Sequence, residues 1–265
     1  GTINDGNDLP TVSIDDVEVN EGAGQAVFTL TLSHPSSTDV VVRLSTVDGD
    51  ATSVGSANGD KDFNSFTGLT VVIPAGQTSV TVPVVINNDT VYEDSESFGV
   101  QIVSTSGNAT IGKGEGLGTI TDYGNVDDPN DPTLDNDRPT VASVSDAIAV
   151  EGDNLDFTVT LSNTSKNVTP LLLKISGVEA TLGVDTGEVQ VSVDGGKSFV
   201  AVAVDGQGNF QVQLPPGAAV DALVVRVPTT IDGVSEGAET LQISASTLRD
   251  LEAGTPSEIG TGTIN

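Results

Sequence analysis

The sequence predicts an all-β protein built as two tandem Greek-key β-sandwiches, and three observations carry that prediction. Val, Ile and Thr recur in short alternating runs, the pattern of strands that bury one face. Thirty Gly and twelve Pro, with many Asn and Asp, punctuate those runs with turn residues, and no stretch carries a convincing helical period. The third observation is internal repetition. Pro10-Thr11-Val12 is answered by Pro139-Thr140-Val141, Glu21-Gly22 by Glu151-Gly152, and FTLTLS at 28–33 by FTVTLS at 157–162, an offset of about 130 residues.

A chain of 265 residues holds two domains of ordinary size, each with its own core. Residues 10–123 form the first repeat. Its strands are expected near 11–20, opening after Pro10, then at 25–32, 39–46, 68–73, 78–86, 97–104 and 117–121. Residues 124–138 are the linker, and 139–265 the second repeat, with strands near 140–150, 155–162, 168–176, 188–193, 199–204, 209–214, 222–228, 240–247 and 259–264. Seven or more strands in a repeat of this size suit an immunoglobulin-like sandwich. The repeats differ in one interval: Asp62 to Pro74 is twelve residues, whereas Asp185 to the matching Pro216 is thirty-one. The extra segment alternates cleanly around Asp194-Gly195 and Asp205-Gly206, so a hairpin is expected on one edge of the second sandwich. GTIND at the start matches GTITD at 118–122, and the last residues are GTIN. Residues 1–9 therefore read as the tail of a preceding repeat, in an array longer than this chain.

Acidic residues follow the same repetition. Asp89, Glu93 and Glu96 stand at i, i+4 and i+7, as do Asp232, Glu236 and Glu239. Twenty-nine residues after the middle Glu of each set come Asp122 and Asn265, each closing a GTI strand. Strand counting brings Glu21, Asp62, Asp89, Glu93, Glu96 and Asp122 to one pole of the first sandwich. Glu151, Asp185, Asp232, Glu236 and Glu239 are their counterparts in the second. Carboxylates gathered this way repel unless a divalent cation lies among them, and six to eight oxygen ligands from flexible loops suit Ca2+. Asn265 in place of Asp122 leaves the second set with less charge. The linker YGNVDDPNDPTLDNDRP is stiffened by Pro rather than loosened by Gly and Ser. Its Asp127, Asp128, Asp131, Asp135 and Asp137 are candidate ligands for a metal at the joint.

PTVSIDDVEVNEGAGQAVFTLTLS, DGDATSVGSANGDKDF, VTVPVVINNDTVYEDSESFGVQI and GLGTITD resemble, in family order, a Calx-β domain across 10–122. VEGDNLDFTVTLS, GVEATLGVD and TIDGVSEGAETLQIS are similar but looser, interrupted by the added hairpin. The resemblance implies a sandwich that binds calcium through loops at one pole, with Glu21, Asp62, Asp89, Glu93, Glu96 and Asp122 as ligands. Asn87-Asn88 departs from the family, where Asp is common. The tandem arrangement, with VSVDGGKSF, resembles extender repeats of giant bacterial repeats-in-toxin (RTX) adhesins.

Nine basic residues against thirty-eight acidic ones, a net charge of −29, argue against nucleic acid and against anionic membranes. The same charge disfavours association of copies, so a monomer is expected. Cysteine is absent, which excludes disulfides and thiolate sites. The single His34 lies before Pro35 in a turn, leaving no material for a zinc site or a Ser-His-Asp triad. No Trp is available to line a sugar cleft, so a catalytic carboxylate pair is not expected either. The expectation is a non-enzymatic, calcium-rigidified spacer on a bacterial surface or secreted from it, stacked on neighbouring repeats of its own chain, serving adhesion or biofilm formation. Two other classes compete. A lectin-like module would use Tyr92 and Tyr123 beside the acids, and a calcium-sensing regulatory pair would use the two sandwiches alone.

Overall fold

The computed structural model describes residues 9–55, 61–123, 135–231 and 237–265. They divide into two units. The first comprises 9–89, 94–123 and Asp135, and the second Thr90–Glu93 and Asn136–Asn265. Among the described residues no helix is long and apolar enough to cross a membrane.

Among the described residues the first unit contains nine strands: β1 (Thr11–Ile14), β2 (Val17–Asn20), β3 (Gln25–Leu32), β4 (Val40–Asp48), β5 (Leu69–Ile73), β6 (Ser79–Val85), β7 (Glu96–Thr105), β8 (Thr110–Ile111) and β9 (Glu115–Thr121). They form two sheets, ordered β6-β3-β1-β8 and β2-β9-β7-β4-β5. Inward residues of both sheets make one core, among them Val12, Phe28 and Val82 from the first and Leu44, Phe98 and Ile120 from the second. The ring of Phe98 stacks on Phe63 at 4.3 Å and meets Phe28 edge-on at 5.9 Å.

The strand expected at 11–20 is two strands in different sheets. β1 pairs antiparallel with β3 and β2 pairs parallel with β9. The cause lies in Asp15-Asp16, where the apolar alternation slips by one residue, from Val12 and Ile14 to Val17 and Val19. Each Asp holds one sheet. Asp15 Oδ1 accepts from Thr29 N–H of β3 at 2.7 Å, and Asp16 Oδ1 from Leu117 N–H of β9 at 2.8 Å. The second unit repeats the device. Ser145 Oγ accepts from Thr158 N–H at 2.9 Å and Asp146 Oδ1 from Thr261 N–H at 2.8 Å, so the expected 140–150 strand is likewise split.

The second unit contains β10 (Val141–Val144), β11 (Ala147–Ala149), β12 (Asn154–Leu161), β13 (Thr169–Gly177), β14 (Gln190–Ser192), β15 (Val200–Ala201), β16 (Asn209–Leu214), β17 (Leu223–Pro228), β18 (Glu239–Thr247), helix α1 (Leu248–Ala253) and β19 (Glu258–Ile264). Its sheets run β10-β12-β17-β14-β15 and β11-β19-β18-β13-β16, around a core that includes Leu155, Phe157, Leu173, Val225 and Ile243.

The inserted segment forms the expected hairpin, β14–β15, added beyond β17. Asp194 organises its turn, accepting from Ser192 Oγ–H and Ser198 Oγ–H at 2.6 Å and from the Lys197 and Ser198 amides at 3.0 Å. Arg226 anchors the hairpin. It donates twice to Asp156 at 2.7 Å and lies 3.6 Å over the ring of Phe199. In the turn after β16 the residue equivalent to Pro74 is Pro215, one residue before the Pro216 expected to match. Gln77 N–H bonds to Pro74 O, as Ala218 N–H does to Pro215 O.

Helix α1 was not expected. Thr247 and Asp250 form a capping box and Gly254 ends the helix in the left-handed region at φ 67°. Buried Asp250 also accepts from Val141 N–H at 3.0 Å, supplying β10 with the kind of partner that β8 gives β1.

The recurring GTI strand has a steric explanation. A Cβ on Gly118 would lie 2.6 Å from the Phe98 ring, and one on Gly262 would lie 2.7 Å from that of Phe157. Gly118→Ala or Gly262→Ala is expected to cost about 1–3 kcal/mol through overpacking, measured as a lowered urea midpoint with an unchanged m-value. The Asp194 turn sets a pH dependence. Its carboxyl is held below the usual 3.8, first by the Ser192 hydroxyl bond and then by the bonds from Ser198. A depressed folded-state pKa stabilises above the unfolded value and loses that contribution as pH falls through the folded one. The hydrogen-exchange protection factors at 192–198 are therefore expected to fall only below about pH 4, and Asp194→Ala to lower them already at pH 7.

Candidate metal centre

Four chain segments far apart in sequence meet at one end of the first unit. Glu21 opens a short 3-10 turn, Glu21–Ala23, between β2 and β3; Asp62 precedes the bridge from Phe63 to Ile86; Glu96 begins β7; and Asp122 follows β9. The register Glu96↔Ile120 sets Glu96 beside the end of the strand that delivers Asp122. Glu21 and Asp122 offer carboxylate oxygens within 4.8 Å of each other, and so do Asp62 and Glu96. Glu21 and Asp122 are only 8% and 3% exposed. Two full charges at that separation repel by about 3–4 kcal/mol at an effective dielectric of ~20.

Backbone bonds hold these segments together. Glu21 Oε1 accepts from Asp89 N–H at 2.7 Å, tying the 87–89 loop to the 3-10 turn. Asp62 Oδ2 accepts from Thr52 N–H at 2.5 Å, and its carbonyl accepts from Asn87 N–H at 2.9 Å. Asn87 Nδ2 donates to Lys61 O at 2.9 Å, a bond that Asp at this position could not donate.

Asn20 is the residue that the sequence reading missed. Its Oδ1 accepts from Gly22 N–H and from Asp135 N–H, both at 3.0 Å, and its Nδ2 donates to Asp135 O at 3.0 Å and Thr121 O at 3.2 Å. One buried amide thus fixes the Glu21 turn, the strand end before Asp122 and the backbone of Asp135. Gly22 makes room for this, because a Cβ there would lie 2.9 Å from Asp135 Cβ. An Asn before Glu-Gly at a strand end is an N-cap signal in the sequence, but its long-range partners leave no local trace.

The remaining expected ligands are placed as follows. Glu93, which belongs to the second unit, forms an ion pair with Lys166, and Tyr92 exchanges backbone hydrogen bonds with Thr164 and Lys166 in the same unit. Asp137 O accepts from Asn163 Nδ2. Asp185 Oδ2 accepts from Thr181 N–H at 2.5 Å and its carbonyl from Thr230 N–H at 2.9 Å, the arrangement that Asp62 makes with Thr52 and Asn87. Glu239 opens β18 opposite Ile264, as Glu96 opens β7 opposite Ile120. Glu151 is half-buried, and its N–H bonds to the carbonyl of exposed Asn265 at 3.3 Å. Among the described residues the second unit has no group of three carboxylates with oxygens within 4.8 Å of one another. Asp127, Asp128, Asp131, Asp232 and Glu236 lie outside the described residues.

The Calx-beta domain family model matches this sequence. No curated protein matches it. Among solved structures, the apo-form Calx CBD1 domain is 20% identical, with 43% of this chain and 97% of that one covered and a TM-score of 0.38. The calcium binding domain CBD12 of CALX1.1 is 14% identical over 88% of this chain and 78% of that one, with a TM-score of 0.39. CBD12 from CALX1.2 is 12% identical over 87% and 79%, at 0.37. The family match covers residues 5–121, somewhat less than half of the chain.

Proposed function

We propose that this chain is a non-catalytic, calcium-rigidified extender segment of a secreted or surface-anchored bacterial adhesin, which holds a distal binding region away from the cell. The observation that carries the reading is the meeting of Glu21 with Asp122 and of Asp62 with Glu96 at one end of the Calx-beta-like unit. The donor set fits the ion. It is made of carboxylates alone, without His or Cys, which suits a hard divalent cation rather than zinc or copper.

Glu21, Asp62, Glu96 and Asp122 would hold calcium, with Asp89 close by through its bond to Glu21. A bound cation supplies positive charge that offsets the repulsion among them. The chain's own contribution is position. The Asn20 clamp fixes the Glu21 turn and the backbone of Asp135. Ions that bind only the ordered loops stabilise the fold by RT ln(1 + [Ca2+]/Kd), and extracellular modules work at millimolar levels. Adhesin context, surface location and stacking on neighbouring repeats rest on the tandem sequence pattern and belong to the same proposal.

Calcium at about a hundredfold its Kd should add about 2.7 kcal/mol and raise Tm by roughly 5–15 °C, with magnesium giving much less. Equal responses to both ions would reduce the effect to charge screening. The double variant Glu21→Gln/Glu96→Gln keeps both acceptors while removing one charge from each pair. It is expected to lose most of the calcium response and to be at least as stable as the parent in chelator. Small-angle scattering on the full chain tests rigidity: chelation should broaden the distribution of maximum dimensions, and an unchanged distribution would refute the stiffened spacer.

A further inference from the structure

The insertion in the second unit does more than add two strands. β14 and β15 carry their sheet two strands past β17, whereas the other sheet ends one strand past β13, at β16. The overhang leaves a cleft of about 740 Å3, bounded by 182–189, 202–208 and the end of β13. That volume lies in the ~300–1,000 Å3 range of small-ligand sites.

Its walls are mixed, with apolar side chains on one part and polar groups and glycine backbone on the rest. Ile175 and Val189 are buried members of the unit's core, Val202 and Val204 pack against that core while only half-buried, and Leu182 is exposed. Its charge is one-sided. Asp205 is fixed in its own turn, accepting from Gln207 N–H and Asn209 N–H at 2.8 Å and from Asn209 Nδ2 at 3.0 Å. These bonds, led by those from Asn209, hold its carboxyl below the usual value, so it stays anionic. Glu188 is exposed at the cleft and makes no side-chain hydrogen bond or ion pair among the described residues. Lys174 also borders the cleft, but on β13 it alternates with core-facing Leu173 and Ile175, so its side chain leaves on the outer face of the sheet. A net charge of −29 further disfavours an anionic guest.

We propose that this cleft binds a small organic cation with an apolar body, an amine carrying an alkyl or aryl group, with Glu188 as its charge partner and Leu182, Val202 and Val204 covering the apolar part. The apolar part of the wall supplies affinity and the acidic rim selects the sign of charge. The site is independent of calcium, because none of its residues belongs to the carboxylate pairs of the first unit.

The test is an amide-resolved NMR titration of the full chain in chelator with 2-phenylethylammonium. Its near-isosteres 2-phenylethanol and 3-phenylpropionate serve as neutral and anionic controls. Shifts are expected at 182–189 and 202–208, with affinity falling from cation to alcohol to carboxylate. Glu188→Gln should weaken the cation by about two- to fivefold, the value of one exposed ion pair, and leave the alcohol unchanged. Leu182→Ser should weaken all three. The proposal is overturned if the ammonium perturbs none of those amides, if the carboxylate binds as well as the ammonium, or if Glu188→Gln leaves the order and spacing of affinities intact. Working in chelator keeps any failure separate from the calcium reading.

Discussion

Repulsion among carboxylates that the fold forces together is the constraint on which the first unit is organised. Hydrophobic burial closes the two sheets, and closing them delivers Glu21, Asp62, Glu96 and Asp122 to one end whether or not their charges agree. The core therefore works against the pole. Carboxylate pairs with oxygens within 4.8 Å disfavour the folded state when both members are charged. On the reading proposed above, a divalent cation would turn that cost into a cross-link between segments dozens of residues apart.

Side-chain hydrogen bonds of the chain itself hold the backbone around the acids. Asp15 and Asp16 commit one chain segment to both sheets, Asp62 secures the turn at Thr52, and Asn20 joins the Glu21 turn to Thr121 and Asp135. Each of these short polar side chains accepts from backbone N–H groups, and Asn20 also donates through Nδ2 to the Thr121 and Asp135 carbonyls, so groups that strand ends leave open are satisfied. The second unit keeps part of this frame. Ser145 and Asp146 split its first strand, and Asp185 repeats the Asp62 arrangement. Val150 stands where the first unit has Asn20, and Asn265 where it has Asp122, so both the amide clamp and one carboxylate are missing.

Much of this was legible in the sequence because the relevant signals are local or duplicated. Alternation gave the sheets, the DG turns gave the β14–β15 hairpin, and the repeated acidic spacing put Glu96 and Glu239 at equivalent registers. The GTI strand was visible as a repeat, but its reason was not, since a glycine's exclusion by Phe98 or Phe157 is a tertiary fact. The split strands left a readable trace, a one-residue slip in alternation at Asp15-Asp16. Helix α1 also left one, in Thr247, Asp250 and Gly254, but six residues are too few to show a helical period. The partners of Asn20 and the pairing of Glu93 with Lys166 depend on contacts between distant segments and had no sequence signature.

The most direct test is a crystal structure of the full chain grown in calcium, with anomalous differences collected at long wavelength. The account predicts a calcium peak within ligand distance of at least one pair, Glu21 with Asp122 or Asp62 with Glu96. A well-ordered pole with those side chains in place and no anomalous peak would contradict it.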